Sequence, residues 1–139
     1  MSIYFYNTLS RQKEEFRPIE EGVVRLYTCG PTVYNFAHIG NYRAFVFEDL
    51  LRRFLKFKGF RVIQVMNITD VDDKIITAAN REGVSIREFT EPFRQAFMED
   101  LTTLGIEPAE YYPRATEHIN EMVALIETLL KKGVAYRAE

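Results

Sequence analysis

At 139 residues the chain is long enough for one domain with a real core. Eighteen basic against twenty acidic residues leave a net charge of -2, so composition offers no electrostatic case for nucleic acid. A single cysteine rules out an internal disulfide, and with no basic-then-apolar opening and no apolar run of membrane-spanning length the expectation is a soluble, cytoplasmic protein.

Taken in order, Ile3 to Tyr6 is a short aromatic strand, followed by the polar turn Asn7-Thr8-Leu9-Ser10 and a charged run from Arg11 to Arg17 before Pro18. This reads as an edge hairpin with a solvated loop. Val23 to Tyr27 is apolar and β-branched, Gly30-Pro31 stops it, and helical spacing takes over from Tyr42. In that helix Ala44, Phe47, Leu50, Leu51, Phe54 and Leu55 form the expected buried stripe, with Glu48, Asp49, Arg52, Arg53 and Lys56 on the wet face. Gly59 suits a left-handed cap beside the dipole-complementing Lys58. Arg61 to Met66 then gives a second strand. Strand, helix, strand in this span is a βαβ unit, and the right-handed crossover rule makes its strands parallel.

Beyond Asn67-Ile68-Thr69-Asp70, the stretch from Val71 to Ala79 starts another helix with acids in its first turn, closed by Gly83. Ser85 and Glu88 fit a capping box. Pro92 predicts a break near Thr90 and a restart with Phe93, Phe97 and Leu101 inward. Gly105 to Pro113 reads as a loop. A last amphipathic helix runs from about Glu117 to Lys132, capped by Thr116 and stopped by Gly133, and Val134-Ala135-Tyr136 looks like a strand cut short.

Residues that could carry chemistry each have a plain alternative. A lone cysteine such as Cys29 is usually a small buried hydrophobe. A histidine at a helix start, here His38, is more often a cap. The carboxylates Asp70, Asp72 and Asp73 suggest magnesium or a general base, but their place beside a helix start favours capping and dipole compensation. Arg11, Lys13, Lys131 and Lys132 read as solvated charges.

The stretch Cys29-Gly30, Thr32-Val33-Tyr34 and His38-Ile39-Gly40-Asn41 resembles the signature of the class I aminoacyl-tRNA synthetases, and among them the cysteinyl-tRNA synthetase family. Asn7 to Phe16, Asn67 to Ile75 and Arg114 to Ile119 look like further family segments in the family's order, so the resemblance covers essentially the whole chain. It implies an α/β, Rossmann-like parallel sheet with flanking helices, the first half of a class I synthetase catalytic domain. Residues 1–20 would be an amino-terminal β extension, and 115–139 would lead toward a connective insertion that is missing here.

The same resemblance implies ATP-dependent activation of L-cysteine, with magnesium, and transfer to tRNA. His38, Gly40 and Asn41 would meet ATP, with His38 and Asn41 as the catalytic donors. Gly40 would be small so that the nucleotide can approach, and Asn41 stands where the family's usual motif has a second histidine. Cys29, Gly30, Thr32 and Thr69 would border the cysteine substrate, and Cys29 would be one of four zinc ligands, the other three lying outside this chain. Nothing in the chain matches the family's lysine-rich signature loop, so the fragment should be inactive alone and, with an incomplete sheet, should self-associate. Two alternatives share the signature: a ligase of mycothiol synthesis joining cysteine to an amino-sugar, and a non-catalytic binding module derived from a synthetase.

Overall fold

A computed structural model describes residues 2–138. The aromatic and charged runs near the amino terminus become the arms of one hairpin: β1 (Tyr4–Asn7) pairs antiparallel with β2 (Gln12–Glu15). The charged run is thus largely a strand, not a solvated loop, although every residue of β2 is exposed. Edge-to-face contacts from Phe5 to Phe16 and from Phe16 to Phe60 dock this hairpin on the main body.

β3 (Val23–Thr28), α1 (Ile39–Phe57) and β4 (Arg61–Met66) form the expected unit. The two strands are parallel, with Val23 opposite Arg61 and Thr28 opposite Met66. Gly59 turns the chain between α1 and β4 at φ +89°, a left-handed conformation in which a side chain would be strained. On the far side of β4 lies the segment expected to be a loop. Tyr111 and Arg114 pair in parallel with Val65 and Ile68, and Met66 N–H donates to the Tyr111 carbonyl at 3.0 Å and Ile68 N–H to that of Pro113 at 2.8 Å. Residues with no strand pattern therefore act as a third ribbon, because the open edge of β4 supplies a ladder that local propensity does not.

α1 buries a different face from the one its apolar spacing suggests. Tyr42, Phe45, Arg52 and Leu55 are buried, whereas Ala44, Phe47, Leu50 and Phe54 are exposed and Leu51 is half-buried. The helix carries apolar side chains on more than one arc, so periodicity alone does not fix its phase. What admits Arg52 to the interior is a set of partners distant in sequence: Gln64 Oε1 at 3.1 Å, the Pro108 carbonyl at 2.7 Å and Glu110 Oε1 at 2.6 Å.

α2 (Asp73–Glu82) is capped by Asp72, which accepts from Ile75 N–H at 2.7 Å, and closes on Gly83 at φ +69°. α3 (Ile86–Thr103) opens with the reciprocal Ser85 and Glu88 capping box. It then runs through Pro92 without the expected break. Burial of Thr90, Phe97 and Leu101 on both sides of the proline holds the helix together, and the Thr90 hydroxyl donates to the Ile86 carbonyl at 2.9 Å. Pro92 is exposed, so Pro92→Ala is expected to restore the missing N–H and raise stability by about 1–2 kcal/mol, read as a higher urea midpoint with an unchanged slope.

The last helix, α4 (Ile119–Lys131), follows a 3₁₀ turn over Ala115–His118. Thr116 does not cap it, for reasons given below, and residues 134–136 form no strand. The core has two parts: Val33, Tyr42, Phe45, Met66, Ile68, Phe97, Leu101 and Ile106 around one end of α1, and Val24, Leu55 and Val62 around the other. Tyr42 links α1 to α3 through a 2.5 Å hydrogen bond from its hydroxyl to Asp100, and burial and that carboxylate together raise the phenol's pKa.

Candidate functional site

The ten residues from Cys29 to His38 that connect β3 to α1 are fixed at both ends and along their length. Gly30 N–H donates to Asn67 Oδ1 at 3.2 Å. Pro31 and Val33 flank Thr69 in a parallel bridge, with Thr69 N–H bonded to the Pro31 carbonyl and Val33 N–H to the Thr69 carbonyl, each at 3.0 Å. Val33 is buried in the core, Lys74 Nζ lies 5.2 Å from the centre of the Tyr34 ring, and Phe36 meets Phe93 edge to face at 5.2 Å. A loop tied to β4, α2 and α3 in this way is a rigid platform.

It ends in a capping box that sets the polarity of two side chains. His38 is the N-cap of α1: its Nδ1 accepts from Gly40 N–H at 3.0 Å, while Asn41 Oδ1 accepts from His38 N–H at 2.9 Å. In this arrangement the imidazole proton is on Nε2, and the Asn41 amide has its NH₂ left over, so each side chain keeps a donor for something outside the helix. The plain reading of His38 as a cap is correct, and it occupies only Nδ1, leaving Nε2 on the opposite side of the ring.

His38 and Asn41 open on a cleft of about 450 Å³, which Gly30, Pro31 and Thr32 also line. Its apolar wall comes from Phe36, Phe45, Phe93 and Phe97. No lining residue is acidic, and the first turn of α1 carries no acid either, so the helix's positive end faces the cleft without a neutralising carboxylate. Of the residues singled out from sequence, His38, Asn41, Gly30 and Thr32 thus share one cavity. Gly40 does not line that cavity; it borders a separate groove with Ile39, Tyr42, Val46 and Leu104, and a Cβ built on it meets only the His38 ring, with Nδ1 at 3.2 Å. Thr69 pairs with Thr32 on the neighbouring ribbon. The aromatic wall escaped the sequence reading. Phe93 and Phe97 show helical spacing, but nothing local says that they stand across from a loop some sixty residues earlier.

Cys29 is exposed at the end of β3, not the buried hydrophobe that composition favours. Beneath it the strand is held by a buried polar ladder in which Gln64 Nε2 donates to Thr28 Oγ1 at 3.1 Å and Gln64 Oε1 accepts from Arg52. Nearby, burial pushes the Glu48 carboxyl pKa up, and a hydrogen bond with Thr28 offsets this only in part. Among the described residues no group of three His, Cys, Asp or Glu side chains converges as a metal site. Among the described residues zinc would therefore find one cysteine sulfur and no cage.

Asp70 belongs to neither a cap nor a metal cluster. It is 1% exposed and accepts from Arg114 Nε at 2.9 Å, Thr116 N–H at 2.9 Å and the Thr116 hydroxyl at 2.6 Å. Burial by itself would raise its pKa, but the Thr116 hydrogen bonds and the Arg114 guanidinium outweigh that and hold it below the usual carboxylate range. Thr116 lies inside the 3₁₀ turn with its hydroxyl donated to Asp70, and α4 begins only at Ile119, so Thr116 is not its cap. Arg114 also reaches Glu91 on α3 at 3.1 Å, so the pair ties the third ribbon to both β4 and α3.

A parallel strand pair joined by a helix, with a rigid loop delivering hydrogen-bond donors to a carboxylate-free cleft at the helix start, defines a Rossmann-like α/β protein. The chain belongs to the family of class I (C) tRNA synthetase catalytic domains, whose model matches residues 15–139. It is 56% identical over 132 residues to a cysteine–tRNA ligase of Protochlamydia amoebophila, covering 95% of this chain and 28% of that protein. Cysteine–tRNA ligases of Thermococcus kodakarensis, 52% identical over 136 residues, and Limosilactobacillus reuteri, 52% identical over 131, match 98% and 94% of the chain. The chain spans 28–29% of the length of these relatives. No helix among the described residues is long and apolar enough to cross a membrane.

Proposed function

We propose that the chain supplies the first part of the catalytic domain of a cytoplasmic cysteine–tRNA ligase, which activates L-cysteine with ATP and passes the cysteinyl group to tRNA. The reading is carried by the His38 and Asn41 capping box, which aims two donors at a cleft lined by no carboxylate. In activation a carboxylate oxygen of cysteine attacks the α-phosphorus of magnesium-bound ATP, the bond to the bridging oxygen breaks, and pyrophosphate leaves. Negative charge grows on the phosphate oxygens as this happens. His38 Nε2–H and the Asn41 NH₂ group are the donors that meet it, already oriented by their bonds to the helix backbone, so little reorganisation accompanies the reaction. Asn41 cannot become cationic, so its contribution is independent of its own protonation.

Gly30, Thr32 and Thr69 border the cysteine substrate in this reading. Cys29 offers one ligand to a zinc ion completed by donors outside this chain, and a zinc held there would supply a soft site that favours sulfur over the hydroxyl of serine. The relatives favour tRNA over an amino-sugar as acceptor.

The test is a graft in which this chain replaces the matching segment of the Protochlamydia amoebophila enzyme. L-cysteine-dependent exchange of pyrophosphate into ATP, and charging of tRNA, are expected to persist. A graft that folds but shows neither overturns the reading. In the same graft Gly40→Ala is expected to leave thermal stability within about 1 kcal/mol, because a helix-favouring methyl meets nothing but the His38 ring. The KM for ATP should nevertheless rise about tenfold or more, since that methyl presses on the His38 ring at Nδ1 and turns its Nε2–H away from the phosphate. An unchanged KM would remove Gly40 from the nucleotide site.

A further inference from the structure

Asn67 stands one residue past β4, and its side chain touches both halves of the proposed substrate border. Oδ1 accepts from Gly30 N–H at 3.2 Å, and Nδ2 donates to Thr69 Oγ1 at 3.1 Å. The first bond fixes the second, because a backbone N–H can be met only by the amide oxygen, which leaves the NH₂ group facing the hydroxyl. An amide nitrogen accepts nothing, so Thr69 must be the acceptor in that pair. Its own O–H finds no acceptor among the described residues and is free to donate.

We infer that Asn67 is a positioning residue which leaves Thr69 as a free hydrogen-bond donor beside Thr32 while holding the Cys29–Gly30 turn against β4. This rests on the proposed function for the identity of the ligand and gives that ligand a chemical constraint. Thr69 would address an acceptor on the substrate, a carboxylate or carbonyl oxygen or a deprotonated sulfur, and not its ammonium group, which only donates. The turn has little other choice of place. A Cβ on Gly30 would lie 1.8 Å from the Asn67 carbonyl oxygen, so backbone and side chain of Asn67 meet the same residue from two directions.

Asn67→Asp separates the two tasks. A carboxylate still accepts from Gly30 N–H, but it offers Thr69 an acceptor in place of a donor, and the threonine O–H then turns inward. In the Protochlamydia amoebophila graft Asn67→Asp is expected to raise the KM for L-cysteine about tenfold, the loss of a hydrogen bond to a charged group, with the KM for ATP and the melting temperature little changed. Thr69→Val should match it, and adding Asn67→Asp to Thr69→Val should cost nothing more. A cysteine KM for Asn67→Asp within about twofold of the parent overturns the inference.

The turn is read in the chain itself, where Cys29 is the only thiol. Asn67→Ala, which frees the Gly30 N–H, is expected to change the rate of Cys29 alkylation by iodoacetamide about threefold or more, while Asn67→Asp stays close to wild type. Equal rates in all three folded proteins would refute the positioning role. If the parent graft shows no cysteine-dependent exchange, the proposed function fails on its own, and the alkylation series still decides whether Asn67 holds the turn.

Discussion

Replacing Arg114 by methionine will destabilise the chain by about 3–5 kcal/mol at neutral pH, because it strands a carboxylate that is 1% exposed. Asp70 would keep its two bonds from Thr116 and lose the guanidinium of Arg114, while methionine still fills the space of the arginine stem. Urea unfolding followed by circular dichroism measures the loss. The double variant Asp70→Asn with Arg114→Met should be more stable than Arg114→Met alone, since the uncompensated charge is then gone. Acidity sharpens the test. The Asp70 pKa is depressed in the folded protein, so its contribution is present in full above roughly pH 4 and is lost as pH falls through the folded value. The gap between wild type and Arg114→Met should therefore narrow as the solution is acidified through that window. A gap that is constant from neutral pH to pH 3 would show that the pair does not stabilise the fold through charge.

Gly30→Ala is expected to be as damaging, at about 3 kcal/mol or more, and to abolish exchange activity in the graft. The added methyl would sit 1.8 Å from the Asn67 carbonyl oxygen and 2.9 Å from Met66 Cγ. The methionine side chain can move, but the carbonyl is part of the backbone leaving β4, so relief requires the turn or the strand end to shift. Either movement breaks the Gly30 to Asn67 hydrogen bond and disturbs the Thr69 bridge beside it. Thermal unfolding of Gly30→Ala beside Gly40→Ala reads this directly: the first should melt well below wild type and the second close to it. Comparable melting of the two variants would mean that the turn is not packed as tightly as the geometry requires.

The sequence pattern shows β3 and β4 nearly to their ends, the parallel pairing implied by the helix between them, the Ser85 box and the left-handed glycines at 59 and 83. It also marks the stretch that lines the cleft, since the turn after β3 and the His38 helix start are adjacent in the chain. It does not show which face of α1 goes inward, that Asp70 is an anchor, that Pro92 is tolerated, or that Asn67 joins Gly30 to Thr69. Each of these depends on a partner beyond the reach of local signals: Arg114 lies 44 residues from Asp70, Asn67 37 from Gly30, and Pro108 56 from Arg52.

The amino-acid sequence by itself therefore determined the β3–α1–β4 unit, most of the helix starts and the stretch between β3 and α1 that lines the cleft. Strand propensity, caps and turns are settled by residues within a few positions of one another. Only the tertiary structure decided how polar groups are paired in the interior and which side chains wall the cleft. A buried arginine or aspartate is tolerable only where distant segments bring it a partner, and no local stretch of chain carries that information.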